Sequence, residues 1–319
     1  MKHAAIDCNR SLKPFITSMK PKKSEGQPSS RRSMIKKIAA TSAAAFLSES
    51  LFANISTAEA LLDDKLKGRI NHSVCRWCYS GISLDDLCIA AKKIGLTAID
   101  LIAPAEFPIL QKHGLKCAIA EGAGKGIGEG FNNPALHDEL VKSYEEVIPK
   151  VAAAGYKQII CFSGNRNGLP DDQGIKNCAI GLKRLIPTAE KYKVTLVMEL
   201  LNSKVNHPDY QCDHTEWGVA LCKEIGSEWF KLLYDIYHMQ IMEGDVIATI
   251  RKHHKYISHY HTGGVPGRNE IDETQELYYP AIMQAILDTG YKGYVAQEFI
   301  PKRPDKIASL KQGVTICDV

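Results

Sequence analysis

From residue 61 onward the chain alternates short runs rich in β-branched and apolar residues with longer stretches whose apolar positions recur at helical spacing. The short runs predict strands at 69–75, 98–102, 116–120, 158–162, 195–200, 231–236, 256–261 and 293–299. The longer ones predict helices at 84–94, 106–112, 134–154, 171–192, 215–225, 245–253 and 276–289. Several of these helices meet a glycine just before the next strand, at Gly95, Gly114, Gly155 and Gly290. Glycine there supplies the left-handed residue that ends a helix. Eight strands alternating with helices predict an α/β chain of the (β/α)8 barrel class, folded as a single domain. An open doubly wound sheet is the competing arrangement, but no G-x-G-x-x-G follows the first strand. Gly122, Gly124, Gly126, Gly128 and Gly130 predict a flexible loop over a pocket after the third strand.

Residues 1–60 break the pattern. They hold ten Lys/Arg against four Asp/Glu, leaving 30 basic and 32 acidic residues in 61–319, so the formal charge of +4 belongs to the N-terminal segment. Ser30-Arg31-Arg32-Ser33 precedes an apolar run of small residues from 38 to 53, and Ala58-Glu59-Ala60 follows. Charged region, apolar region and small-x-small site stand in the order of an export signal, and the arginine pair resembles the twin-arginine (Tat) type. The expected organisation is therefore a leader over 1–60 and a barrel over 61–319, with a periplasmic location, or a cytoplasmic one if the leader does not function. Glu49 inside the apolar run and the long stretch before the arginines count against the signal. No later segment offers about 18 uninterrupted apolar residues, so no membrane span is expected after the leader. Ten cysteines are scattered, with only Cys75 and Cys78 closely spaced, which reads as buried small apolar residues more readily than as a disulfide framework or a four-thiolate zinc site.

Barrel active sites lie where strands end, which directs attention to four successive strand ends. The fifth delivers Glu199, the sixth Asp235, the seventh His261 and the eighth Glu298. Neighbouring strands lie about 4.8 Å apart, so these side chains can converge on one ion. A lone strand-end carboxylate serves equally well as a helix cap. Four side chains on one rim argue otherwise, because crowded carboxylates repel without a cation. Three carboxylates and one imidazole suit Mn2+, Mg2+ or Co2+, with Zn2+ as an alternative. His259 shares a strand face with His261, one layer below. His238, just past the sixth strand, is placed to hydrogen-bond a substrate oxygen, and Arg268 offers a fork for a carboxylate or phosphate. Trp77, with Tyr79, is placed to wall in the substrate carbons.

The runs Met198-Glu199-Leu200-Leu201-Asn202, Tyr234 to Gln240, His259 to Arg268 and Gly293 to Glu298 together resemble the xylose isomerase-like barrel superfamily. Within it the chain is most similar to hydroxypyruvate isomerase-like proteins, then to ketose 3-epimerases, over roughly residues 70–319. The resemblance implies that Glu199, Asp235, His261 and Glu298 bind a divalent ion, that Glu199 and Glu298 also shuttle the proton, and that His238 and Arg268 contact substrate. Bacterial hydroxypyruvate isomerases tend to carry Gln where this chain has His261, and epimerases carry His, whereas Val265-Pro266-Gly267-Arg268 is closer to the isomerases. The expected activity is isomerisation of a small α-hydroxy carbonyl compound, a sugar or a hydroxy-keto acid, through an enediolate. The alternatives are ketose 3-epimerisation and a non-catalytic sugar-binding barrel. Apurinic endonucleases share the fold, but strands two and three end here without the histidines a trinuclear zinc cluster needs. The net charge of −2 in 61–319 also offers no footprint for nucleic acid. Oligomeric state is left open.

Overall fold

A computed structural model describes residues 65–319. The leader expected over 1–60 lies outside the described residues.

Eight strands run in parallel: β1 (Asn71–Cys75), β2 (Ala98–Asp100), β3 (Lys116–Cys117), β4 (Gln158–Cys161), β5 (Thr195–Leu200), β6 (Phe230–Asp235), β7 (Ile257–Thr262) and β8 (Tyr294–Gln297). Their order is β3-β2-β1-β8-β7-β6-β5-β4. Ala120 closes the remaining gap: its N–H donates to the Gln158 carbonyl at 2.9 Å, and its carbonyl accepts from Ile160 N–H at 3.1 Å. The circuit is the predicted (β/α)8 barrel. The third strand is shorter than the expected 116–120, and single bridges at Ile102 and Ala120 carry on the pairing.

Nine α-helices are described: α1 (Leu84–Ile94), α2 (Phe107–Lys112), α3 (His137–Ala153), α4 (Asp171–Tyr192), α5 (Thr215–Ile225), α6 (Ile236–Met242), α7 (Val246–His253), α8 (Tyr279–Asp288) and α9 (Lys306–Cys317). Ser83 caps α1 by accepting the Asp86 N–H at 3.1 Å, and Gly95 ends it with φ +103°. Positive φ at Gly114, Gly155 and Gly290 confirms the other expected stops. Two helices were not expected. α6 starts directly at the end of β6 and is buried on nearly every side, so it carries no amphipathic period. α9 follows the Asp305 cap, with buried Leu310, Val314 and Cys317 at helical spacing.

The alternating glycines differ from their expected role as a flexible loop. A Cβ on Gly130 would lie 2.4 Å from the backbone of Phe162, Ser163 and Gly164, and one on Gly122 would lie 2.7 Å from the Ile160 carbonyl. Both positions press the loop against β4 and its continuation, where only glycine fits. All nine described cysteines are buried and unpaired, in keeping with a small apolar role. Among the described residues no helix is long and apolar enough to cross a membrane.

Two rim loops are tied together by Arg166, whose guanidinium donates to both Asp213 oxygens at 3.0 and 2.9 Å. Burial works to raise the Asp213 carboxyl, but hydrogen bonds from Arg166, Ser203 and His214 outweigh it and hold it below the usual range. A depressed folded value stabilises the fold above the ordinary carboxylate range, and that stabilisation is lost as pH falls through it. Urea unfolding should therefore show the wild type losing more stability between pH 5 and pH 3 than Asp213→Asn, and equal losses would contradict the linkage. Gly130→Ala, by overpacking against backbone, should cost about 1–3 kcal/mol in the same assay at neutral pH.

Candidate active site

Strand pleating aims Glu199, Asp235 and His261 into the barrel mouth, each two residues beyond an inward-facing Val197, Leu233 or His259. Asp235 pairs with His261 across β6 and β7. Glu298 follows β8, its N–H donating to the Thr262 carbonyl at 3.0 Å. Ligand atoms of all four lie within 4.8 Å of one another, and all four residues are buried. His261 Nδ1 stands 2.8 Å from Glu298 Oε2 and 3.4 Å from Glu199 Oε1. Glu199 Oε1 is buried without a hydrogen-bond partner. Converging buried oxygens, one of them unpartnered, together with one imidazole nitrogen fit a divalent cation.

Positive charge reaches the carboxylates from Arg268. Its Nη2 pairs with Glu298 Oε2 and lies 3.1 Å from Asp235 Oδ2. Arg268 itself adopts φ +58°, an uncommon conformation outside glycine, in the loop after β7. Its N–H donates to the Gly264 carbonyl at 2.8 Å. The guanidinium lies over the rings of both Trp77 and Tyr237, at 5.0 and 5.4 Å from their centroids. The sequence placed Arg268 for a substrate anion; in the structure its Nη2 is set on the protein's own carboxylates, while Nε is buried without a hydrogen-bond partner. Trp77 also differs from a plain apolar wall. It is 40% exposed, and its indole N–H donates to Glu298 Oε1 at 2.7 Å.

These contacts separate the acids. Burial works to raise Glu298, but Arg268 and His261 outweigh it and hold the carboxyl well below its ordinary value. Burial and the neighbouring Glu298 charge raise Glu199. Burial also raises Asp235 well above the usual range, despite Arg268. Burial opposes charge on His261, yet Cys75, Glu298 and Asp100 around it lift it well above a free imidazole.

Asp235 plays two parts. Its Oδ1 caps α6, accepting from Tyr237 N–H at 2.8 Å and His238 N–H at 3.2 Å, while Oδ2 faces Arg268. The cap places His238 in the first turn of α6, fully buried. Burial, then the Arg268 charge, holds its imidazole well below the ordinary value and hence neutral.

One residue escaped the sequence reading. Asp100, at the end of β2, is buried and hydrogen-bonded to His259 Nε2, and it lies 3.5 Å from His261 Nε2. His259 thus sits beneath His261 as expected, with Asp100 as its anchor. An acidic residue inside an otherwise apolar predicted strand was the available signal.

With fold and site described, comparison with known proteins assigns the class. The family model "Xylose isomerase-like TIM barrel" matches residues 89–314, and the chain belongs to this family. More particularly, it is similar to the 2-oxo-tetronate isomerase of Cupriavidus necator, 36% identical over 109 residues, which are 34% of this chain and 41% of that protein. The hydroxypyruvate isomerase of Escherichia coli strain K12 is 27% identical over 170 residues, 53% of this chain and 65% of that protein. The D-psicose 3-epimerase of Enterocloster bolteae is 26% identical over 227 residues, 67% and 71% respectively. The matched segments thus span about two fifths to two thirds of the two isomerases. Among solved structures, a family 2 AP endonuclease from Brucella melitensis superposes with TM-score 0.68 at 21% identity, covering 77% of this chain and 97% of that one. At that identity the likeness concerns the fold alone.

Arg268 and a divalent ion would neutralise the same carboxylates. In chelator, Arg268→Met should lose about 3 kcal/mol in urea unfolding, because it leaves buried acids uncompensated. Excess Mn2+ should recover more stability in the variant than in the wild type, and an equal gain in both would argue against shared compensation.

Proposed function

We propose that this chain is a divalent-metal-dependent isomerase of a small α-hydroxy carbonyl compound, a hydroxy-keto acid or a sugar. The observation that carries this reading is the pair Glu199 and Glu298, brought from β5 and from the end of β8 to within 3.4 and 2.8 Å of His261 Nδ1. The names of the matched isomerases support it. Glu199, Asp235, His261 and Glu298 would hold the ion, with Mn2+, Mg2+ or Co2+ suited to the donor set and Zn2+ as an alternative. When bound, the ion supplies positive charge that stabilises the developing enediolate oxygens.

The protein's own groups divide the remaining work. Glu199 Oε1 makes no hydrogen bond and has His261 Nδ1 near it, at 3.4 Å, whereas Glu298 is engaged at Oε1 by Trp77 and at Oε2 by His261 and Arg268. Glu199 is therefore the base that takes the proton beside the carbonyl, and Glu298 serves the return of a proton to the neighbouring carbon. No electron leaves the substrate, so no redox cofactor enters. Arg268 and His238 orient the substrate oxygens, and Trp77 covers the mouth beside them.

Ketose 3-epimerisation is the second reading. His261 favours it, as does the longer alignment to the D-psicose 3-epimerase. In epimerisation the proton taken from one carbon is replaced on that same carbon from the opposite face, so the two glutamates serve either reaction and substrate choice separates them. Export through a twin-arginine leader over residues 1–60, with a periplasmic location, completes the proposal.

The test is exchange of substrate hydrogen with solvent deuterium, followed by NMR, across hydroxypyruvate, C4–C6 ketoses and inositol-type polyols with Mn2+. Glu199→Gln and Glu298→Gln should each lower exchange by about 100-fold or more with the fold intact by circular dichroism. Near-wild-type exchange in either folded variant would overturn the assignment.

A further inference from the structure

His238 touches the site through one ring nitrogen, and the proton on that ring can be placed from its partners. The backbone N–H of Asn202 donates to Nδ1 at 3.1 Å, and a peptide N–H has no other role available. The Asn202 side chain lies against the same nitrogen, with Nδ2 at 2.6 Å. Its orientation is fixed independently of the histidine. Oδ1 of Asn202 accepts two backbone N–H groups, from Val205 at 3.0 Å and Asn206 at 2.8 Å. The amide nitrogen is thereby turned toward the ring and toward Asn206 Oδ1, which it meets at 2.8 Å. Asn206 Oδ1 also accepts the Tyr237 hydroxyl at 2.9 Å, so that oxygen is itself oriented. Two donors converge on Nδ1, which makes it an acceptor and leaves the proton of the neutral ring on Nε2.

Nε2 is the atom that faces the site. It is fully buried, 3.5 Å from Asp235 Oδ2, and has no hydrogen-bond partner. The rings of His207 and Tyr237, with centroids 5.3 and 5.1 Å away, hold the imidazole plane. A buried donor without an acceptor costs free energy unless something supplies one, and a nitrogen that carries a proton cannot ligate a metal.

We propose that Asn202 is a positioning residue that locks His238 as an Nε2–H donor, reserved for an oxygen of the bound substrate. The identity of that acceptor rests on the isomerase reading; the lock itself does not. The lock keeps His238 out of the metal set although it stands beside Asp235. It also denies His238 the role of base, since the lone pair of Nδ1 is occupied by donors and Nε2 is protonated. What His238 offers is a fixed dipole where oxygen gains negative charge, and proton transfer is left to the glutamates.

The direct test is a long-range 1H–15N correlation spectrum of the full chain, metal-free and without substrate. The His238 signals among the 11 histidines are assigned by their loss in His238→Gln. The Nε2–H tautomer is expected, and an Nδ1–H ring or a rapidly averaged one overturns the lock. Asn202→Asp replaces the amide donor by an acceptor. It should draw the proton toward Nδ1 and lower kcat by about 100-fold with a smaller change in KM. A folded Asn202→Asp protein with an unchanged tautomer removes Asn202 from the mechanism. If that variant does not fold, the wild-type spectrum still decides. An Nδ1–H ring in a chain that exchanges substrate hydrogen defeats the lock alone, and an Nε2–H ring in a chain that exchanges none defeats the isomerase reading alone.

Discussion

Burying several carboxylates in one barrel mouth is the constraint on which the rest of this structure depends. Glu199, Asp235 and Glu298 are withdrawn from water around His261, with Asp100 on the far side of the same ring. Isolated charges at such a place would protonate or unfold the mouth. Compensation comes from Arg268 and from protonated His261, whose charge a cation would replace on taking its ring nitrogen as a ligand. Both side chains have their own scaffold: Arg268 a loop position at positive φ with two aromatic rings against it, and His261 a strand position backed by Asp100. The loop after β7 is therefore part of the electrostatics and not merely a connection.

The same constraint explains why single residues serve twice. Asp235 turns one oxygen to the helix dipole of α6 and the other to the site. The cap reading and the ligand reading of a strand-end carboxylate, set against each other on sequence grounds, do not compete here, because the cap uses one oxygen and leaves the other facing the site. Placing α6 directly on β6 in turn brings His238 within reach of Asn202 and Asp235. Trp77 likewise stacks on Arg268 and donates to Glu298, tying the compensating charge and the charge it compensates to one indole.

Much of this was legible in the sequence because barrel geometry repeats. Strand alternation and glycine stops gave the eight units, and equivalent strand ends gave Glu199, Asp235, His261 and Glu298 together. Local pattern missed what depends on tertiary burial. α6 has no amphipathic period because it is covered on nearly every side, and Asp100 lay inside a strand read as apolar to Ile102. Arg268 was recognised as an anion partner, but its target was set by the fold of its loop. The glycines after β3 were read as mobile because spacing alone cannot reveal a backbone pressed against β4.

The barrel interior then says where chemistry can and cannot occur. On the side of β3 to β6 the inward layer is Ile119, Ile160, Val197 and Leu233, a closed apolar cluster. On the side of β1, β2, β7 and β8 it is Cys75, Asp100, His259, His261 and Glu298. Each metal-competent group among the described residues includes His261, so the donors form one centre with one pivot. β3 to β6 add donors only at the rim, through Glu199 and Asp235, and one layer below them a charge would meet only apolar side chains. The ionisable side chains of the barrel interior are thus gathered around His261, while the layer beneath Glu199 and Asp235 stays apolar. The proposed proton transfer between Glu199 and Glu298 draws on this one centre and on no other part of the interior.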